Sequence, residues 1–183
     1  MPLYEFAGER PRIGEETFVH PRAVLIGNVT VGRECFIGPG AVIRADFGPI
    51  TVGSGSSVQD NAVLHVTPGD EVRIHDRVIV GHGAILHDVK LHEGCTIGMG
   101  AILLQRAVCE EFSLVAAGSL VPQGMTIPAR MMAAGSPARI VKEVPADLAA
   151  FIVMGVDEYR NLTRRYLETF REVAPEPEIS GRG

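Results

Sequence analysis

The sequence predicts an all-β solenoid, a parallel β-helix of short strands and corners, closed by a C-terminal α-helical segment. Three observations carry that reading. From residue 19 onward an aliphatic side chain recurs every six positions, a period that fits neither an amphipathic helix nor a simple strand. Only 5% of the residues are aromatic while 21 are glycine, an unusual composition for an ordinary globular core. Toward the C-terminus the apolar residues change to helical spacing.

Residues 1–18 read as a lead-in. The repeat starts at Val19 and passes through Leu25, Val31, Ile37 and Ile43, with Ala23, Val29, Cys35, Ala41 and Phe47 four places further on. After an insertion at 48–51 the phase resumes at Val52, Val58 and Leu64, and after a loop at 67–71 at Ile74, Val80 and Leu86. Two five-residue turns then shift it to Leu91, Ile97, Leu103, Val108, Leu114 and Leu120. Gly32, Gly38, Gly53, Gly81 and Gly98 each follow an aliphatic position, as corners with positive φ would favour. Three such hexads make one coil of a prism. Stacking by strand pairing at about 4.8 Å gives residues 19–126 roughly six coils and a length of about 29 Å.

Residues 127–145 are expected to leave the solenoid as a connection, and 146–173 to be helical. Leu148, Ile152, Tyr159, Leu162, Tyr166 and Phe170 form an apolar stripe that should pack back on the prism. Gly155, with Asp157 as a cap, predicts two helical pieces. Residues 174–183 read as a flexible tail.

The register places side chains in space. If every third hexad shares a face, Arg44, His65 and His87 form one column after Ile43, Leu64 and Leu86. His65 and His87 then lie about 4.8 Å apart on adjacent coils, a spacing that suits two imidazoles meeting one metal ion. His82 stacks over Asp60, beside a column of Gln59 and Gly81, and faces elsewhere. A third imidazole must therefore come from a neighbouring subunit across a threefold axis, which predicts a homotrimer with metal sites at the subunit interfaces. Three imidazoles with an open fourth position describe a catalytic zinc site, and ligand softness also admits iron or cobalt. His20, His75 and His92 fall at corners or loops, where a solvated histidine without a role is the default.

Composition narrows the partners. A net charge of -5 gives no basic footprint for nucleic acid or anionic lipid. The opening MPLYEFAGER has no signal-type pattern and no apolar run approaches a membrane span, so a cytoplasmic protein acting on a small molecule is expected. Cys35, Cys95 and Cys109 are odd in number and share no ligand-type spacing, so they read as core residues in a reducing compartment.

The segments VIRADFG, VQDNAVLHV, VGHGAILHD and IGMGAILL resemble those of the gamma-class carbonic anhydrases of the hexapeptide-repeat superfamily. The opening FVHPRAVLIGNVTVG, with GSPARIVKEV and DEYRNL near the end, is similar to the branch found in phenylacetate and carnitine operons, and the likeness covers about residues 1–170. It implies a left-handed parallel β-helix of hexapeptide repeats. It also implies that His65 and His87 of one subunit and His82 of the next hold zinc. Gln59 would hydrogen-bond a metal-bound hydroxide, and Arg44 would pair with Asp60 and Asp46 around the subunit junction. Tyr159 and Asn161 match a Tyr-x-Asn near the family's site.

Two positions depart from the family pattern. Phe47 stands where the family has a glutamate, and the loop after His65 is only VTPGDE, where an acidic loop with a proton-shuttle glutamate is usual. Asp70 and Glu71 are the available substitutes. The resemblance implies reversible hydration of carbon dioxide to bicarbonate, and the two departures imply slow turnover because a proton must also be exported. The same metal hydroxide would serve a metal-dependent acyl-CoA thioester hydrolase, and a non-catalytic trimeric metal-binding protein is the third reading. An acyltransferase ranks lower, because no long loop between coils supplies a separate catalytic histidine.

Overall fold

A computed structural model describes residues 3–174, which form a left-handed parallel β-helix of about seven turns and one C-terminal helix. The strands stack in parallel and build three flat faces. The first face contains Leu3–Tyr4, the starts of Val24–Val31 and Val42–Val52, then Val63–His65, Ile85–His87, Ile102–Leu103 and Leu120–Val121. The second contains Arg12–Ile13, the ends of the same two long strands, then Val72–Ile74, Lys90–Leu91, Val108–Cys109 and Thr126–Ile127. The third runs from Phe18–Val19 through Phe36–Ile37, Ser57–Val58, Ile79–Val80, Thr96–Ile97 and Leu114–Val115 to Met131–Gly135. Among the described residues no helix is long and apolar enough to cross a membrane.

Each face sends one aliphatic column inward. Leu25, Ile43, Leu64, Leu86, Leu103 and Val121 line the first, all fully buried. Each such side chain contributes about 2 kcal/mol relative to exposure. The expected phase slips at one place. The inward residues after Leu103 are Cys109, Val115 and Val121, paired with Leu91, Ile97 and Leu103, and not Val108, Leu114 and Leu120. The hexad therefore runs unbroken from Leu91 to Ile127, with a cysteine in an aliphatic slot. Cys35, Cys95 and Cys109 are all free and buried, and burial pushes the thiols of Cys35 and Cys95 up to about 11.

The glycines after the aliphatic positions serve a different purpose from the one their corners suggest. Positive φ falls instead on residues such as Gly100 and Gly118, with Asn61 at the equivalent bend of an earlier coil. Gly53 and Gly98 are needed because the next coil is too close. A Cβ on Gly98 would lie 2.4 Å from the backbone nitrogen of Ala117, and one on Gly53 2.4 Å from the carbonyl carbon of His75.

Strand pairing carries the prism past the expected limits of 19 and 126. Leu3–Tyr4 and Arg12–Ile13 pair with Val24–Val31, and Met131–Gly135 pairs with Leu114–Val115 before returning antiparallel as Ala138–Glu143. Of the expected tail, only Ala174 lies within the described residues.

The C-terminal segment is one helix, Ala146–Thr169, and not two pieces. Gly155 stays helical, and a Cβ there would lie 3.7 Å from Ile79 Cδ1, an ordinary contact with the third face. From there the helix descends the face toward the N-terminal coils. Tyr159 packs on Phe36 and Tyr166 on Phe18, with ring centroids 5.5 and 4.7 Å apart. Glu34 accepts hydrogen bonds from Arg160 and Arg164 and ties the helix to the prism. Those two arginines hold its carboxyl below the ordinary glutamate range.

Two outcomes are expected from this packing. Gly98→Ala forces the backbones of two coils apart and should cost about 3 kcal/mol or more in urea unfolding. Gly118→Ala meets only its positive φ, with nothing within 4 Å of the new Cβ; its cost should be about 1 kcal/mol. Equal losses at the two positions would refute the close-approach account. The folded carboxyl of Glu34 lies below its unfolded value of 4.5, so its stabilisation is complete above that value and fades as pH falls through the folded one. Glu34→Gln should be less stable than the wild type by about 1 kcal/mol at pH 7 and equal to it in strong acid.

Candidate metal centre

The second edge of the first face carries the column that the register predicts. Arg44, His65 and His87 pair directly across adjacent coils. His65 Nδ1 lies 3.0 Å from His87 Nε2. The opposite nitrogen of each ring meets a carboxylate: His65 Nε2 is 3.0 Å from Asp46 Oδ1, and His87 Nδ1 is 3.1 Å from Asp88 Oδ2. Asp46 is also paired with Arg44.

The arrangement has a chemical consequence. A carboxylate calls for an N–H, so with both rings neutral the outer nitrogens would carry the hydrogens and the inner ones would bring two lone pairs face to face. A cation between them relieves that conflict. The 3.0 Å separation approaches the roughly 3.3 Å between two imidazole nitrogens on one tetrahedral zinc. A carboxylate behind each ring is also the support that metal-bound histidines usually have. The donor set therefore fits a borderline divalent ion.

Asp88 is fully buried as a side chain and accepts hydrogen bonds from Thr67 N at 2.6 Å and Thr67 Oγ1 at 2.8 Å. Burial pushes its carboxyl up, but the bonds from Thr67 and His87 outweigh this and hold it below the usual value. Asp46 behaves alike: burial raises it, while Arg44 and His65 lower it further.

His82 lies on the opposite edge of the same face. Its Nδ1 is 3.1 Å from Asp60 Oδ2, and among the described residues the three histidines do not gather into one ligand cluster within a chain. Gln59 is buried at that edge. The Arg44–Asp46 pair is present within the chain, whereas the described ion pairs of Arg44 do not include Asp60. Tyr159 is half-buried against Phe36; burial pushes its hydroxyl up, and the charge of Asp60 adds to this. Asn161 is exposed on the helix, where it accepts a hydrogen bond from Arg164.

Between the two edges the first face presents an apolar ladder to solvent. Val24, Val42, Val63, Ile85, Ile102 and Leu120 pair in unbroken register and point outward. The matching ladder of the second face begins Thr30, Thr51, Arg73 and Lys90, and the third face lies under the helix. Among the described residues the first face is thus uncovered and apolar, flanked by His82 on one side and by His65 and His87 on the other.

A cleft of about 630 Å³ opens beside Asp88, lined by Phe47, Pro49, Val89 and Val108 with Lys90 and Arg106 at its sides. Phe47 is exposed, its ring centroid 5.9 Å from that of His65. The two loop acids are engaged: Asp70 accepts from Arg106 at 3.1 and 3.2 Å, and Glu71 from Arg73 at 2.9 Å. Sequence reasoning missed Asp88 and the apolar ladder. Asp88 was signalled only by its place directly after His87, and the ladder becomes visible once strand register is known.

A left-handed β-helix of hexads with histidines in register defines a hexapeptide-repeat protein. Two family models match it: bacterial transferase hexapeptide (six repeats) over residues 10–45, and hexapeptide repeat of succinyl-transferase over residues 28–65. The carnitine operon protein CaiE of Salmonella agona is 35% identical over 175 residues, covering 96% of this chain and 88% of that protein. A solved hexapeptide transferase family protein from Anaplasma phagocytophilum is 36% identical with a TM-score of 0.87, covering 90% of this chain and 98% of that one. A Bacillus cereus protein provisionally assigned as an acetyltransferase is 33% identical with a TM-score of 0.89, covering 91% and 96%. The chain belongs to the carnitine operon CaiE family, a gamma-class carbonic anhydrase-like branch of the hexapeptide-repeat superfamily.

Proposed function

We propose that the chain is a homotrimeric, metal-dependent enzyme that adds water to an electrophilic carbon, with reversible hydration of carbon dioxide as its reaction. The observation that carries this reading is the facing pair of imidazole nitrogens on His65 and His87, each ring backed by a carboxylate. His82 of a neighbouring copy would complete the ligand set. The apolar ladder supports that assembly, since packing first faces around a threefold axis covers it and brings the His82 edge of one copy to the His65 edge of the next.

In this reading zinc, or iron or cobalt in its place, supplies a Lewis acid that makes a bound water acidic near neutral pH. Asp46 and Asp88 fix the rings and keep their inner nitrogens free of hydrogen. Gln59, buried at the His82 edge, orients the attacking oxygen by a hydrogen bond. Attack on carbon dioxide forms the new C–O bond of bicarbonate and releases one proton. Phe47 offers that proton no acceptor, and Asp70 and Glu71 are already paired with arginines. Proton export then falls to buffer.

A second reading, hydrolysis of an acyl-CoA thioester, is favoured by the cleft beside Asp88. Its volume of about 630 Å³ and its apolar walls exceed what carbon dioxide needs. The same water would attack the thioester carbonyl, with cleavage of the C–S bond giving a carboxylic acid and a thiol.

Sedimentation of the metal-loaded chain should give about three times 19.6 kDa. Ile85→Asp, which sets a charge in the centre of the apolar ladder, should give monomers that lose the metal. A monomer retaining a tightly held ion at His65 and His87 would refute the shared site. Gln59→Ala should keep the trimer and the metal but lose roughly 10–100-fold in carbon dioxide hydration. Imidazole buffer should raise the wild-type rate. Cleavage of acyl-CoA by metal-loaded protein that leaves carbon dioxide untouched would put the second reading in place of the first.

A further inference from the structure

The vertex between the second and third faces carries another ladder of ligand-type side chains. His75, His92 and Glu110 follow the inward residues Ile74, Leu91 and Cys109 on three successive coils. That is the place in the repeat that His65 and His87 hold on the first face. The rings of His75 and His92 stack 5.0 Å apart and within 7° of parallel. His92 Nε2 is 3.9 Å from Glu110 Oε2, and its Nδ1 is 3.7 Å from Glu111 Oε1. One ligand atom from each of His92, Glu110 and Glu111 lies within 4.8 Å of the others.

These separations are longer than hydrogen bonds, so the carboxylates crowd His92 without satisfying it. Among the described ion pairs neither glutamate meets an arginine or lysine. Two carboxylates beside His92, neither paired with an arginine or lysine among the described residues, do not match the solvated corner histidines that the sequence suggests.

We propose that this vertex binds a divalent cation of the zinc, cobalt and nickel type through His92, Glu110 and Glu111, with the ring of His75 stacked on that of His92. Mixed imidazole and carboxylate donors select such borderline ions over calcium or magnesium, which prefer oxygen alone. The ion would join two successive coils from outside. Because all its ligands come from one chain and none from the first face, loading requires neither assembly nor the His65–His87 pair.

The test is a calorimetric titration of chelator-stripped full-length protein with Co²⁺, followed in parallel by visible absorption. Wild-type protein should bind one more Co²⁺ per chain than His92→Ala, and one more than the double variant Glu110→Gln, Glu111→Gln. His82→Ala should leave this binding event in place, which separates it from the site on the first face. Stripped wild type and variants should melt alike, since the altered side chains are partly exposed, and Co²⁺ should raise the melting temperature less in the vertex variants. Equal stoichiometry in wild type and in either folded variant would overturn the proposal.

Discussion

Parallel backbone hydrogen bonding between successive coils is the constraint on which the rest of the molecule depends. Gly32 N donates to Val52 O at 2.7 Å, Gly53 N to Ile74 O at 2.8 Å, and Gly98 N to Val115 O at 2.8 Å. Each bond seats one coil on another at about the strand spacing of 4.8 Å. Side chains at the same place in the repeat then become neighbours, whatever their chemistry. Inside, this stacks Leu64 under Leu86 and seals a core without large aromatics. Outside, it sets His65 against His87, and the carboxylates of Asp46 and Asp88 orient the two rings. Burial supplies the stabilisation and the backbone supplies the register, and a slip of one residue would exchange the two sets.

Much of this was legible because a period of six has few solutions. The column of His65 and His87 could be read by counting, since each follows an inward leucine. Cys109 was not legible, because a cysteine at an aliphatic position looks like a break in the pattern while Val108 beside it looks like a match. The glycines were ambiguous for a physical reason. A missing side chain serves positive φ and close approach equally well, and only the adjacent coil shows which applies at Gly98. Asp88 escaped because its partner, Thr67, sits in a loop outside the repeat. Gly155 reads as a helix break by propensity, but a single glycine costs only about 1 kcal/mol and the 24-residue helix runs through it.

The three faces also meet three different fates. One lies beneath the C-terminal helix, where Phe18, Phe36, Tyr159 and Tyr166 concentrate much of the chain's small aromatic content. One is polar, and one is apolar and left bare by the described residues. A prism of nearly identical hexads is therefore chemically directional, and the direction is written only in the residues that point away from the core.

The corner between the first and second faces is where the chain departs from constant coil length. The bend within Val42–Val52 and the turn before Val72–Ile74 both carry extra residues there, and both border the cleft beside Asp88. Because the hydrogen-bond ladder resumes its register after each excursion, residues can be added or removed at this corner without repacking the interior. Natural variation in loop length thus has one permissive location, and it adjoins the candidate chemistry. Relatives can diverge in what they admit to the site while inheriting the same scaffold.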